Sequence, residues 1–324
     1  MALDVTYTNG VIASKEKYLL KDKIFRFAEM TAEDAFRSLV ESGYGTGAVA
    51  SDVYAFETLI SAEESALDEF IRVYAPKASD RSYLLAPRDF HNAKALLKAS
   101  YLKTGAEKML APKGEIELAN LESCVKNGDF TPLSGKNPYL QKACEEATAL
   151  LQGENVAGAE VGLIFEKRAY EYYTTIVKRN SALKKLHAYR ADMTNILTAF
   201  RAETEEEAEK KYLSGGKIPF QKLSKIFQDE AKALEAFSDT EYKDFVTDCF
   251  EAKNKGLPYS VAEKIRDGYE TSYFSEIKYD LKKNEPFLYY VFRRRTENAN
   301  VRILFVCLLA GLKESEIKKR LRAM

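Results

Sequence analysis

Three short motifs hold the most ordered set of chemically capable side chains in this sequence. Asp89-Phe90-His91-Asn92 opens DFHNAKALLKASYL, Asp192-Met193-Thr194-Asn195 opens DMTNILTAFRAET, and Glu297-Asn298-Ala299-Asn300 opens ENANVRILFVCLLAGL. Each is an acid, two residues, an asparagine, and then an apolar helical pattern. Residues i and i+3 share one helix face, which leaves two chemistries open to the pair. One is a carboxylate site. The other is a buried polar clasp that satisfies a neighbouring helix end or a facing arginine. One acid per motif, in three separate segments, does not converge on a reaction centre, so the spacing favours the clasp.

The remaining candidates for chemistry fall away by spacing. Neither His91 nor His187 has an acid three residues before it, so the Glu-x-x-His pairs of a di-iron bundle are missing, and both read as surface or boundary histidines. Cys124, Cys144, Cys249 and Cys307 form no CxxC pair, which fits isolated reduced thiols of a cytosolic compartment. Gly43-Tyr44-Gly45-Thr46-Gly47 lacks GxGxxG spacing and follows a helical pattern, so it reads as a helix stop. Gly215-Gly216-Lys217 lacks the earlier glycine of a P-loop, and neither GxSxG nor HExxH occurs. No catalytic residue, cofactor or metal is expected.

Composition narrows the class further. The 324 residues carry 49 basic and 49 acidic side chains, with no basic excess for neutralising phosphates, so nucleic acid is an unexpected partner. Apolar residues make up 46%, with 20 Tyr and 18 Phe, which suffices for a sizeable core. No basic segment followed by an apolar stretch marks a secretory leader, and there is no Asn-x-Ser/Thr sequon. The longest apolar run, residues 301–312, spans about 18 Å as helix against a hydrocarbon core of about 30 Å. The expectation is a soluble or peripheral protein with no transmembrane segment.

The elements that position these motifs read as helices throughout. Tyr54, Leu59, Ile60, Leu67, Ile71 and Tyr74 recur at the helical period, as do Val161, Phe165, Ala169, Tyr172, Tyr173 and Ile176, and then Val261, Ile265, Tyr269, Tyr273 and Ile277. Pro76 follows the first segment and Pro258 precedes the third. Long aromatic-rich helices at about 52–75, 157–179 and 259–282 thus each precede an acid-x-x-Asn motif. The three asparagines lie 103 and 105 residues apart. A second element follows at a matched offset: Gly114-Glu115-Ile116 begins 22 residues after Asn92, and Gly216-Lys217-Ile218 begins 21 after Asn195. Ile116 matches Ile218, Leu118 matches Phe220, and Leu121 matches Leu223. The sequence ends before a third copy could follow Asn300. The reading is all-α, with three similar helical domains at about 1–106, 107–209 and 210–324. Two charge features, the acidic run at 203–209 and the basic residues Arg293, Arg294, Arg295 and 313–324, read as solvated helix faces or as docking surfaces for charged helices or lipid headgroups.

NEPFLYYVFRRRTENANVRILFVCLLAGL resembles the C-terminal signature of the V-type/A-type ATPase C-subunit family, the counterpart of the eukaryotic d subunit. Asn300 and Arg302 behind Glu297 resemble that family's ending, and Asp192, Asn195 and Gly215-Gly216 resemble its middle repeat. The resemblance spans essentially the whole chain. It implies three similar helical-bundle domains arranged as a pseudo-threefold funnel, peripheral on the cytoplasmic face of the membrane. It implies a monomer within the complex, seated between the D and F subunits of the central stalk and the membrane proteolipid (c/K) ring. The implied work is torque transmission that couples ATP hydrolysis or synthesis to proton or sodium transport, with no active site. A generic all-helical scaffold and an enzyme of unknown chemistry are the competing readings.

Overall fold

A computed structural model describes residues 4–153, 158–257, 259, 273 and 283–322. Among the described residues the regular structure is helical, with no strand. The helices are α1 (Val5–Lys15), α2 (Lys23–Phe27), α3 (Ala32–Glu41), α4 (Phe56–Tyr74), α5 (Ala78–Leu102), α6 (Leu118–Asn127), α7 (Pro138–Leu151) and α8 (Gly158–Ile176). They continue with α9 (Ser181–Arg201), α10 (Glu205–Lys211), α11 (Phe220–Leu223), α12 (Glu230–Phe237), α13 (Lys243–Asn254), α14 (Glu285–Leu309) and α15 (Glu314–Arg320). The first two long aromatic helices are α4 and α8. The third, expected at 259–282 after Pro258, lies outside the described residues except for positions 259 and 273.

Local signals explain where these helices begin and end. The Thr31 hydroxyl accepts the Asp34 N–H at 3.2 Å to start α3, and Asn137 and Asn180 cap α7 and α9 in the same way. Pro138 takes the first position of α7, where its missing N–H costs nothing. Gly43, Gly45 and Gly47 all take positive φ just beyond α3, so that glycine run is a helix stop. Pro87 stands inside α5 without ending it. A helix of 25 residues survives the loss of one backbone bond that would break a short one.

The chain divides into two compact units, residues 1–81 with 263–324, and residues 82–262. In the first, α14 is packed along α4 through aromatic pairs: Phe70 with Phe287 and Tyr290, and Phe56 with Phe305. Leu20, Ile24, Phe27 and Leu39 join Val301, Leu304, Phe305 and Ile317 in one buried cluster. In the second unit, Phe90, Leu121, Phe130, Leu140, Val161 and Phe165 belong to a core built from α5 to α8. Of the three motif-bearing helices, α9 and α14 are buried over most of their circumference. That placement forces their polar side chains to find partners inside the protein.

Candidate functional site: three backbone clasps

Asn195 lies on α9, 2% exposed. Its Nδ2 donates to the Leu213 carbonyl at 2.9 Å, and its Oδ1 accepts the Leu213 N–H at 2.8 Å. One amide side chain thereby answers both polar groups of one buried backbone residue. Asn92 does the same to Ala111, at 3.1 and 2.8 Å, and Asn300 to Arg322, at 3.0 and 2.8 Å.

The acids complete the clasps. Asp89 accepts the N–H groups of Glu115 and Ile116 at 2.9 and 3.1 Å. Asp192 accepts those of Lys217 and Ile218, both at 2.9 Å, and also the Tyr242 hydroxyl at 2.9 Å. Helices α6 and α11 begin just past these donors, so each acid fixes the entry to the next helix. Burial raises the Asp192 pKa while its three donors pull the other way, and burial next to Asp192 pushes the Tyr242 hydroxyl far up, keeping it a donor. The glycines ahead of the donors leave open the space that each carboxylate occupies. A Cβ on Gly114 would sit 2.2 Å from Asp89 Oδ1, and one on Gly216 would sit 2.1 Å from Asp192 Oδ1.

The acid and asparagine of the third motif draw their partners from two separate segments. Glu297, fully buried, accepts the Lys21 N–H at 3.2 Å on Oε1 and Arg294 at 2.9 Å on Oε2. Arg294 also pairs with Glu63, whose Oε1 accepts the Gly45 N–H at 2.8 Å. Tyr44 beside it donates its hydroxyl to Asn298 at 2.8 Å. Burial works against the Arg294 charge, but Glu63 and Glu297 together hold its pKa above the usual value.

These placements revise two expectations. Arg293 and Arg294 are 7% and 8% exposed and Arg295 is half-buried, so the triplet does not form an exposed basic surface. Arg302 takes no part in the clasp that Asn300 makes; its guanidinium pairs with Glu57 at 2.8 Å and reaches Glu64 at 3.4 Å. In the tail, Lys318 is paired with Glu29 and Glu314. The histidines also separate. His91 is exposed and meets the Met109 carbonyl at 2.8 Å, whereas His187 is 2% exposed among Tyr83, Tyr170 and Tyr173. The Thr174 hydroxyl donates to the Tyr170 carbonyl, so His187 Nε2 carries the hydrogen that bonds Thr174 at 2.9 Å. Burial, and then the Arg190 charge, hold the His187 pKa down to about 4.

Groups suited to bond-making are scarce at accessible places. All four cysteines are buried, and burial raises the Cys124 and Cys144 thiols and lifts Cys249 to about 12, which suppresses thiolate chemistry. Among the described residues no group of three His, Cys, Asp or Glu side chains is placed to hold a metal, and no helix is long and apolar enough to cross a membrane. A groove of about 540 Å³ in the second unit includes His91, Lys94, Glu166 and Thr194 in its lining. Glu166 there is raised by burial, with Lys94 opposing, and no hydrogen-bonded nucleophile and base face one another.

Clasps of this kind hold helices and loops in register. The family model described as ATP synthase (C/AC39) subunit matches residues 8–320, and the chain belongs to that family of ATPase subunits. The C subunit of the V-type sodium ATPase of Enterococcus hirae is 22% identical to it over 320 residues, covering 95% of this chain and 92% of that relative.

Proposed function

We propose that this protein is the non-catalytic rotor subunit that joins the D and F subunits of the central stalk to the membrane proteolipid ring. It sits peripherally on the cytoplasmic face, as a single copy, and passes torque between ATP hydrolysis or synthesis and proton or sodium transport. Family membership across residues 8–320 carries this reading. The clasps support it physically. A part that transmits torque must resist shear, and each clasp ties a loop to a buried helix through a side chain that neither water nor a neighbouring rotamer can replace without loss. Three helical repeats, marked by Asn92, Asn195 and Asn300, and the pseudo-threefold funnel the family resemblance implies, belong to the same proposal.

The test is recovery of partners. Tagged protein, drawn from gently solubilised membranes, brings down stalk and proteolipid subunits together, and the ring contact weakens as salt is raised from about 0.05 to 0.5 M. Recovery of neither partner contradicts the proposal.

A further inference from the structure

In the first two clasps a single loop supplies every backbone partner. Ala111 serves Asn92 and, four residues on, Glu115 serves Asp89; Leu213 serves Asn195 and, four residues on, Lys217 serves Asp192. In the third clasp the donors come from opposite directions along the chain. Arg322 stands 22 residues after Asn300, while Lys21 stands 276 residues before Glu297.

We infer that residues 19–27 are the second element of the third repeat, displaced to the front of the sequence, and that residues 313–322 form an intramolecular strap that completes it. The spacing agrees: Lys21 precedes Glu115 by 94 residues, and Glu115 precedes Lys217 by 102. The apolar pattern agrees as well. Three residues past each donor stand Ile24, Leu118 and Phe220, and six past stand Phe27, Leu121 and Leu223. The latter three are all buried, at 5%, 1% and 1% exposure. A short helix begins within three residues of each donor: α2, α6 and α11.

The chemistry of the third site also fits a split element. Leu20 occupies the place of Gly114 and Gly216, and Glu297 occupies the place of Asp89 and Asp192. The extra methylene of glutamate lets the carboxylate reach the backbone from further off, so no glycine is needed. The second backbone donor is replaced by Arg294. The strap is bonded independently of the clasp: Ile317, fully buried, shares a cluster with Leu20, Ile24 and Phe27, and Lys318 reaches Glu29 at 2.6 Å. Residues 313–322 are thus engaged within their own unit.

Hydrogen exchange read on peptides covering residues 19–27, 111–121 and 213–223 tests this. The Lys21 amide should be protected in the full-length protein. Glu297→Leu should speed exchange in 19–27 at least tenfold and leave 213–223 unchanged, while Asp192→Leu should do the reverse. Removing residues 322–324 should lower the thermal midpoint of the full-length protein, but by less than half as much when Asn300→Leu is already present. An unprotected Lys21 amide in the unsubstituted protein overturns the inference even if a variant fails to fold. So does full additivity of the truncation with Asn300→Leu.

Discussion

Asn195 and Leu213, 18 residues apart in sequence, exchange two hydrogen bonds of 2.8 and 2.9 Å inside the second unit. Replacing Asn195 with leucine keeps the branched, four-heavy-atom outline and removes both bonds, which strands a buried N–H and a buried carbonyl. Each stranded group costs about 1–3 kcal/mol. Asn195→Leu should therefore destabilise the protein by at least about 2 kcal/mol in urea denaturation, and Asn92→Leu by a similar amount. An unchanged midpoint for either would show that the side chain does not hold its loop.

The glycines give an independent handle on the same clasps. Gly216→Ala drives a methyl group into Asp192 Oδ1, and overpacking of this kind costs about 1–3 kcal/mol. Gly135→Ala is the control, because nothing lies within 4 Å of the added carbon. The first variant should lose stability in a thermal melt and the second should not. Equal melting points would mean that the loop simply moves aside.

Much of this architecture is legible in the sequence because it is local. Asn92 with Ala111 and Asn195 with Leu213 span 19 and 18 residues, so the matched motif and second element announce each other by offset alone. The third clasp hides because Lys21 and Glu297 are 276 residues apart and carry no motif in common. The signal that could have revealed it is the apolar pair Ile24 and Phe27, at the same steps from Lys21 as Leu118 and Leu121 from Glu115. Arg294 misleads for a related reason. A run of three arginines looks solvated until Glu63, 231 residues away, is brought against it. His187 gives no hint of burial, because the tyrosines around it come mostly from other segments. Tyr242, 50 residues from the Asp192 it serves, is equally silent.

Arg294 and Arg302 should respond very differently to removal. Arg294→Met leaves the fully buried Glu297 and the nearly buried Glu63 without their counter-charge, and breaking a buried pair from one side costs about 3–5 kcal/mol. Arg302 is 42% exposed on its side chain against Glu57, and Arg302→Ala should cost less than about 1 kcal/mol. Denaturation of the two variants checks the contrast. Similar losses would mean that Arg294 is not committed inside the first unit.

His187 sets a pH limit on the second unit. Its folded pKa, about 4, lies below the ordinary 6.5 of the unfolded chain. Above pH 6.5 it is neutral in both states and costs nothing. Below that, the unfolded chain takes a proton that the folded one refuses, so stability falls as pH drops and the loss levels off near pH 4. At about 1.4 kcal/mol per pH unit the full effect is roughly 3 kcal/mol. His187→Gln, which does not titrate, should flatten the stability curve between pH 6.5 and 4 relative to the unsubstituted protein. Parallel curves would place His187 in contact with water.

Coupling of head to ring by this chain is open to test through ion pumping by a rebuilt complex. Membrane vesicles carrying the ATPase are stripped of this protein and then resupplied with it, and ATP hydrolysis and ion uptake are followed together. The account predicts that without the protein the head still hydrolyses ATP while ion uptake stops, and that adding the protein back restores uptake. Uptake that proceeds at full rate in its absence would contradict the coupling role.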